Sequence, residues 1–228
     1  MSISTATNPT CTPAGRVTKS LLGYGVIAGP LYVVVSLAQA MSRDGFDLSR
    51  HAWSLLANGD LGWLQTANFA VAGAMTVAGA VGLRRALTSG SEASQRRGRT
   101  WAPVLLGAYG VSLVGAGIFR ADPAQGFPIG TPETATAMSW HGALHFAIGG
   151  VGFAGLIAAC FVLASRFART GRRDLAWFSR VTGVVFLAGF AGIASGSHGP
   201  TTLAFVAAVL VAWAWVSTVC VHYFRTTV

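Results

Sequence analysis

The sequence predicts an all-α fold: a polytopic helical membrane bundle of six transmembrane helices, with the N- and C-termini cytoplasmic. Three observations predict it. Of the 228 residues, 53% are hydrophobic and only 10% are charged, against about 25% charged in an ordinary soluble domain. Six apolar runs each have roughly the length that crosses a hydrocarbon core near 30 Å thick. The basic residues cluster between alternate runs, which is how topology signals are distributed. The 29 glycines suit such a bundle, because small residues let helices approach closely where no hydrophobic force drives them together.

Residues 1–20 are polar and rich in Ser and Thr, and read as a flexible cytoplasmic tail. Residues 21–225 form the membrane domain. Its first run is 21–41. Ala38-Gln39-Ala40 resembles a signal-peptidase site, but the apolar stretch exceeds the roughly 7–15 residues of a signal peptide. A retained helix is expected. Residues 42–61 form a polar loop with a short amphipathic stretch at 51–57. The second run is 62–83, followed by a linker carrying Arg84, Arg85, Arg96, Arg97 and Arg99. The third run, 101–119, leads into a polar loop with Pro123, Pro128 and Pro132. The fourth, 139–165, ends at Arg166, Arg169, Arg172 and Arg173. The fifth, 177–194, turns sharply into the sixth, 201–223. No run shows strand alternation, and in lipid only a helix satisfies its own backbone.

Charge fixes the expected orientation. With the N-terminus inside, the tails and the two arginine-rich linkers, taken with Arg180 just beyond the second, hold 13 of the 16 basic residues, leaving Arg43, Arg50 and Arg120 outside. That pattern implies an inner (plasma) membrane protein whose partner is the lipid bilayer. The net charge of +9 is therefore a topology signal, not a nucleic-acid footprint. Trp53, Trp63 and Trp140 are expected at the outer interface, and Trp101 and Trp177 at the inner one. Cys160 and Cys220 lie inside apolar runs without a CxxC motif, and read with Cys11 as small packing residues.

The same orientation gathers unusual side chains outside. Five of the seven acids and four of the five histidines fall there. His141 and His145 are four apart and share a helix face. His198 lies in the last outer turn, and Asp122 follows the third run beside Arg120. Three readings compete. His141, His145 and His198, with Asp122, offer a ligand set suited to a divalent metal such as zinc, whose bound water would hydrolyse a lipid ester or amide. A metal-free polar pocket would instead bind a lipid headgroup or small amphiphile, with Arg120 as anion anchor. The third reading is structural, with histidines satisfied by neighbouring helices in an accessory subunit of a membrane complex. Gln65 and Asn68, three apart in the second run, either bond across helices or floor the same pocket. No GxGxxG, GxxxxGK[ST] or GxSxG motif occurs.

Several stretches together resemble a known family: HAWSLLANGD at 51–60, GWLQTANF at 62–69, GAGIFRADPAQGFP at 115–128 and SWHGALH at 139–145. They resemble the bacterial membrane-protein family called domain of unknown function 998, over about residues 20–225. The resemblance implies six membrane helices and an outward polar cluster, and carries no activity. The residues it shares with the outer cluster are Ser54, Gln65, Asn68, Asp122, Ser139, His141 and His145. An extracytoplasmic pocket built from these, with Arg120, is the expected ligand site.

Overall fold

The computed structural model describes residues 12–88, 96–134, 137–196 and 199–227. Within them lie six helices long and apolar enough to cross a membrane: α1 (Pro13–Ser42), α2 (Gly62–Thr88), α3 (Arg96–Ile118), α4 (Trp140–Arg169), α5 (Arg173–Ala194) and α6 (Gly199–Thr226). A short 3-10 turn, Trp53–Ala57, lies between α1 and α2. No strand occurs among the described residues. The protein is a multi-pass membrane protein with an all-helical fold.

Helix ends differ from the apolar runs in one direction. α1 starts at Pro13, not at 21: the Thr12 side chain caps the helix by accepting from the Gly15 amide, and Pro13 takes the first turn, where its missing N–H costs nothing. The expected tail of 1–20 is thus helical from residue 13, and residues 1–11 lie outside the described set. α2, α4 and α6 likewise run three to five residues past their apolar runs. Hydropathy marks where a helix leaves the lipid, not where its hydrogen bonds stop.

The helices pack in chain order, each on the next, and α1 closes the ring on α6. Glycines set the spacing. A Cβ on Gly25 of α1 would lie 2.5 Å from Cys220 Sγ of α6 and 3.1 Å from Gly79 Cα of α2. Three helices therefore meet where only hydrogen atoms fit. Cys160 and Cys220 are buried, unpaired packing residues. Cys11 lies outside the described residues. The bundle has two ends. The terminal end carries the start of α1 and the end of α6. The loop end carries residues 43–61, 119–134 and 137–139, with the end of α5 and the start of α6.

Trp63, Trp140, Trp101 and Trp177 are exposed near helix ends, as interfacial rings should be. Trp53 is not. It is only 4% exposed and packs on Tyr32 at 5.9 Å between ring centres. The 3-10 turn folds into the mouth of the bundle and takes the ring with it.

Candidate functional site

The two loops at the loop end lock together. Arg43, just past α1, donates from its two terminal nitrogens to Leu56 O and Asn58 O, each at 2.5 Å. The guanidinium lies 4.9 Å from the centre of the Phe127 ring. Asn58 Nδ2 donates to Ala121 O at 3.0 Å. His51 is almost fully buried. Its Nδ1 accepts from the Asp47 amide and its Nε2 donates to Gln125 O, both at 2.9 Å. The ring therefore carries its proton on Nε2. Phe46 and Phe127 flank it. Arg50 pairs with Glu133. These residues make a plate across the bundle.

The residues expected to form a site divide among four places. Asp122 accepts from the Ser139 amide at 2.8 Å and from the Ser139 hydroxyl. Ser139 is the N-cap of α4 and accepts from the Gly142 amide at 3.1 Å. Their polar atoms are thus spent on starting a helix. Gln65 and Asn68 are buried in a network with α1. Gln39 Nε2 donates to Gln65 Oε1 at 2.8 Å, Gln65 Nε2 to Ser36 Oγ at 3.2 Å, and Asn68 Nδ2 to Tyr32 O at 3.1 Å. This is bonding across helices. Arg120 and His141 are exposed, and His141 lies against Trp140 and Phe119. Ser54 and His145 both line a cavity. His198 lies outside the described residues. Among the described residues, no three His, Cys, Asp or Glu side chains gather as metal ligands.

The cavity lies beneath the plate and encloses about 120 Å³. All six helices and the 3-10 turn contribute to its wall. Nine aromatic rings line it, including Tyr32, Trp53, Tyr109, Phe153 and Trp213. Several touch edge to face or tilted: Tyr32 and Trp213 at 5.2 Å, Phe153 and Phe190 at 5.1 Å. Among the described residues, no Asp, Glu, Lys or Arg lines it. His145, on α4, is 8% exposed and lines it near the loop end. Its Nδ1 contacts Phe119 O at 2.8 Å and Ala116 O at 3.3 Å. Both partners are carbonyls, which only accept, so Nδ1 carries the proton. Eight residues separate His145 from Phe153, or roughly 12 Å of helix rise. The cavity runs along the bundle axis toward its middle.

The wall is open on one side. At the terminal end α4 and α5 are tight: a Cβ on Gly183 would meet Cys160 Cβ at 3.2 Å. Toward the loop end they part. A Cβ on Gly150 would meet only the tip of Phe190, at 3.9 Å, and one on Gly149 would meet nothing within 4 Å. Phe146 lines the cavity and is 60% exposed on the outer surface of the bundle. By contrast α5 and α6 are closed there, with Gly189 seated against Ala208. The cavity is therefore open between α4 and α5 at the level of Gly149 and Gly150.

The sequence held no local signal for the plate or the cavity. Arg43 and Asn58 act through partners more than ten residues away, His51 reaches Gln125 as well as the nearby Asp47, and the cavity wall draws one or a few residues from each helix. The one legible hint was that Arg43 is among only three basic residues at the loop end.

A family model for a protein of unknown function, DUF998, matches residues 26–222. Neither the curated proteins nor the solved structures hold a match.

Proposed function

The chain belongs to the DUF998 family of proteins of unknown function, and on that premise we propose that it binds a small apolar or amphiphilic molecule taken from the bilayer. The site is the aromatic cavity, not the polar surface of the loop end. With the N-terminus in the cytoplasm the cavity lies in the outer leaflet half of an inner (plasma) membrane.

One observation supports this reading: the aromatic cavity, uncharged among the described residues, opens between α4 and α5, which in a bilayer is a side that lipid occupies. An apolar cavity of about 150 Å³ holds one benzene ring, so this space suits a ring or a short length of chain. Aqueous solutes have little reason to enter a wall without charge. The polar residues at the loop end support it differently. Asp122, Ser139, Arg43 and Asn58 already satisfy one another or the backbone, and closing the loop end is what they do.

The test uses purified protein in detergent with hexylbenzene as probe. In a Cys11→Ser background the remaining thiols, Cys160 and Cys220, are both buried, so a thiol-reactive dye reports unfolding. A molecule that binds only the folded state raises the unfolding temperature saturably. Hexylbenzene should do so with wild type and not with Gly149→Phe, whose added ring has room to enter the gap. An absent or unsaturable rise, or an equal rise in Gly149→Phe, overturns the reading.

A further inference from the structure

We infer that the molecule held in the cavity carries a hydroxyl group, and that this hydroxyl donates to His145 Nε2. The inference rests on the cavity reading above and adds the chemistry of the ligand's polar end.

It starts from the tautomer. His145 Nδ1 faces two backbone carbonyls at the end of α3, so its proton is committed there. In a neutral imidazole the other nitrogen is then a bare acceptor. Neutrality follows from the surroundings: the residue is 8% exposed, no carboxylate among the described residues lines the cavity, and the nearby Asp122 carboxylate is engaged by the Ser139 amide and hydroxyl. Nε2 makes no hydrogen bond among the described residues. The ring is 8% exposed and lines the cavity, whose wall also carries two buried indole donors without a partner, Trp53 Nε1 and Trp213 Nε1; a hydroxyl, which donates and accepts at once, answers both kinds of group.

The acceptor selects its partner. A carbonyl, ether, carboxylate or phosphate ester oxygen can only accept, and repels Nε2. An ammonium donates, but its charge is unpaired within this wall. A neutral hydroxyl donates at the level of His145, while an attached ring or chain runs on toward Phe153 and Trp213. Phenols, quinols and long-chain or prenyl alcohols share this chemistry.

The assay compares 4-hexylphenol with 4-hexylanisole in the same dye-based format. Methylation removes the donor and leaves ring, chain and oxygen in place. Wild type should bind the phenol about tenfold more tightly, equal to ~1.4 kcal/mol. His145→Asn keeps an N–H for the Phe119 carbonyl but lacks an acceptor at the Nε2 position, and should bind the two equally. If that variant does not fold, wild-type protein labelled with ¹⁵N-histidine gives the answer. The Nε2 resonance of His145 should move upfield with the phenol and stay still with the anisole. Equal binding of phenol and anisole by wild type, or an unmoved Nε2, overturns the hydroxyl assignment and leaves the apolar cavity standing. Binding of neither, with hexylbenzene also silent, overturns both.

Discussion

The Asp122 carboxylate holds the amide and the hydroxyl of Ser139 at once, and Ser139 in turn caps the first turn of α4. The end of α3 and the start of α4 are thereby fixed to each other. This matters for the cavity, because His145 lies one turn and a half further along α4 and leans on the α3 carbonyls.

Ser139→Ala should cost about 1 kcal/mol, the ordinary loss of a helix cap. Gly142→Ala should cost about 1–3 kcal/mol, because its Cβ would stand 2.2 Å from Asp122 Oδ2. The informative variant is the pair. Removing the carboxylate with Asp122→Ala should make Gly142→Ala less costly than it is alone, with a coupling of at least about 0.5 kcal/mol. Strictly additive losses in equilibrium unfolding would mean that the two positions do not meet.

Arg43 serves two carbonyls with one planar fork and covers Phe127. Burial pushes its pKa down, and the nearby Asp60 charge pulls it back up. Lysine keeps the charge but not the fork. Arg43→Lys should therefore lower stability by about 1–3 kcal/mol, the cost of leaving a buried acceptor unmet. A lysine variant as stable as wild type in thermal unfolding would show that charge alone suffices.

Asp47 gives the loop end a pH dependence. The Ser49 hydroxyl and amide both donate to its carboxylate and hold its pKa below the usual carboxylate range. A depressed pKa stabilises the folded loop above the unfolded value, near ~3.9, and that contribution disappears as pH falls through the folded value. The Ser49 amide resonance should accordingly titrate with a midpoint below ~3.9. Asp47→Asn should flatten that curve.

How much of this was visible in the sequence varies by level. Span number and approximate placement were legible, because a membrane demands long apolar runs and the runs are separated by polar loops. The role of Gln65 and Asn68 was half legible: amides in an apolar run announce a bond, but nothing local names Ser36 and Gln39 as its partners. The outer cluster was legible only as a set of polar side chains. Counting polar side chains at the loop end singled out Asp122, Ser139 and His141, yet a polar residue that completes a cap looks the same in sequence as one awaiting a ligand. His145 differs from His141 only by one helical turn of depth. The cavity itself is a gap between rings on six helices, and a gap leaves no residue to read.

The Gln65 network yields a further expectation. Gln65→Leu removes both the acceptor for Gln39 and the donor to Ser36. Side-chain hydrogen bonds between membrane helices contribute about 0.6–2 kcal/mol each, so the loss should be about 1–3 kcal/mol. Gln39 keeps a bond to Val35 O at 3.2 Å. The double variant Gln39→Leu/Gln65→Leu should therefore cost less than the sum of the singles. A sum that holds in denaturant titrations would break the network into independent bonds.

The α4–α5 gap predicts a route as well as a site. Gly150 faces the tip of Phe190 across the gap, and both line the cavity at its opening, so Gly150→Leu should narrow the opening. A narrower opening slows entry and exit together. The association rate of hexylbenzene should fall about tenfold, within the one to three decades over which such rates vary among mutants of one site, with dissociation slowed in proportion. Loosening the plate with Arg43→Ala should leave the rate unchanged if molecules arrive from lipid. If Arg43→Ala accelerates binding and Gly150→Leu does not slow it, the route runs through the loop end, and the opening between α4 and α5 is a packing defect and not a door.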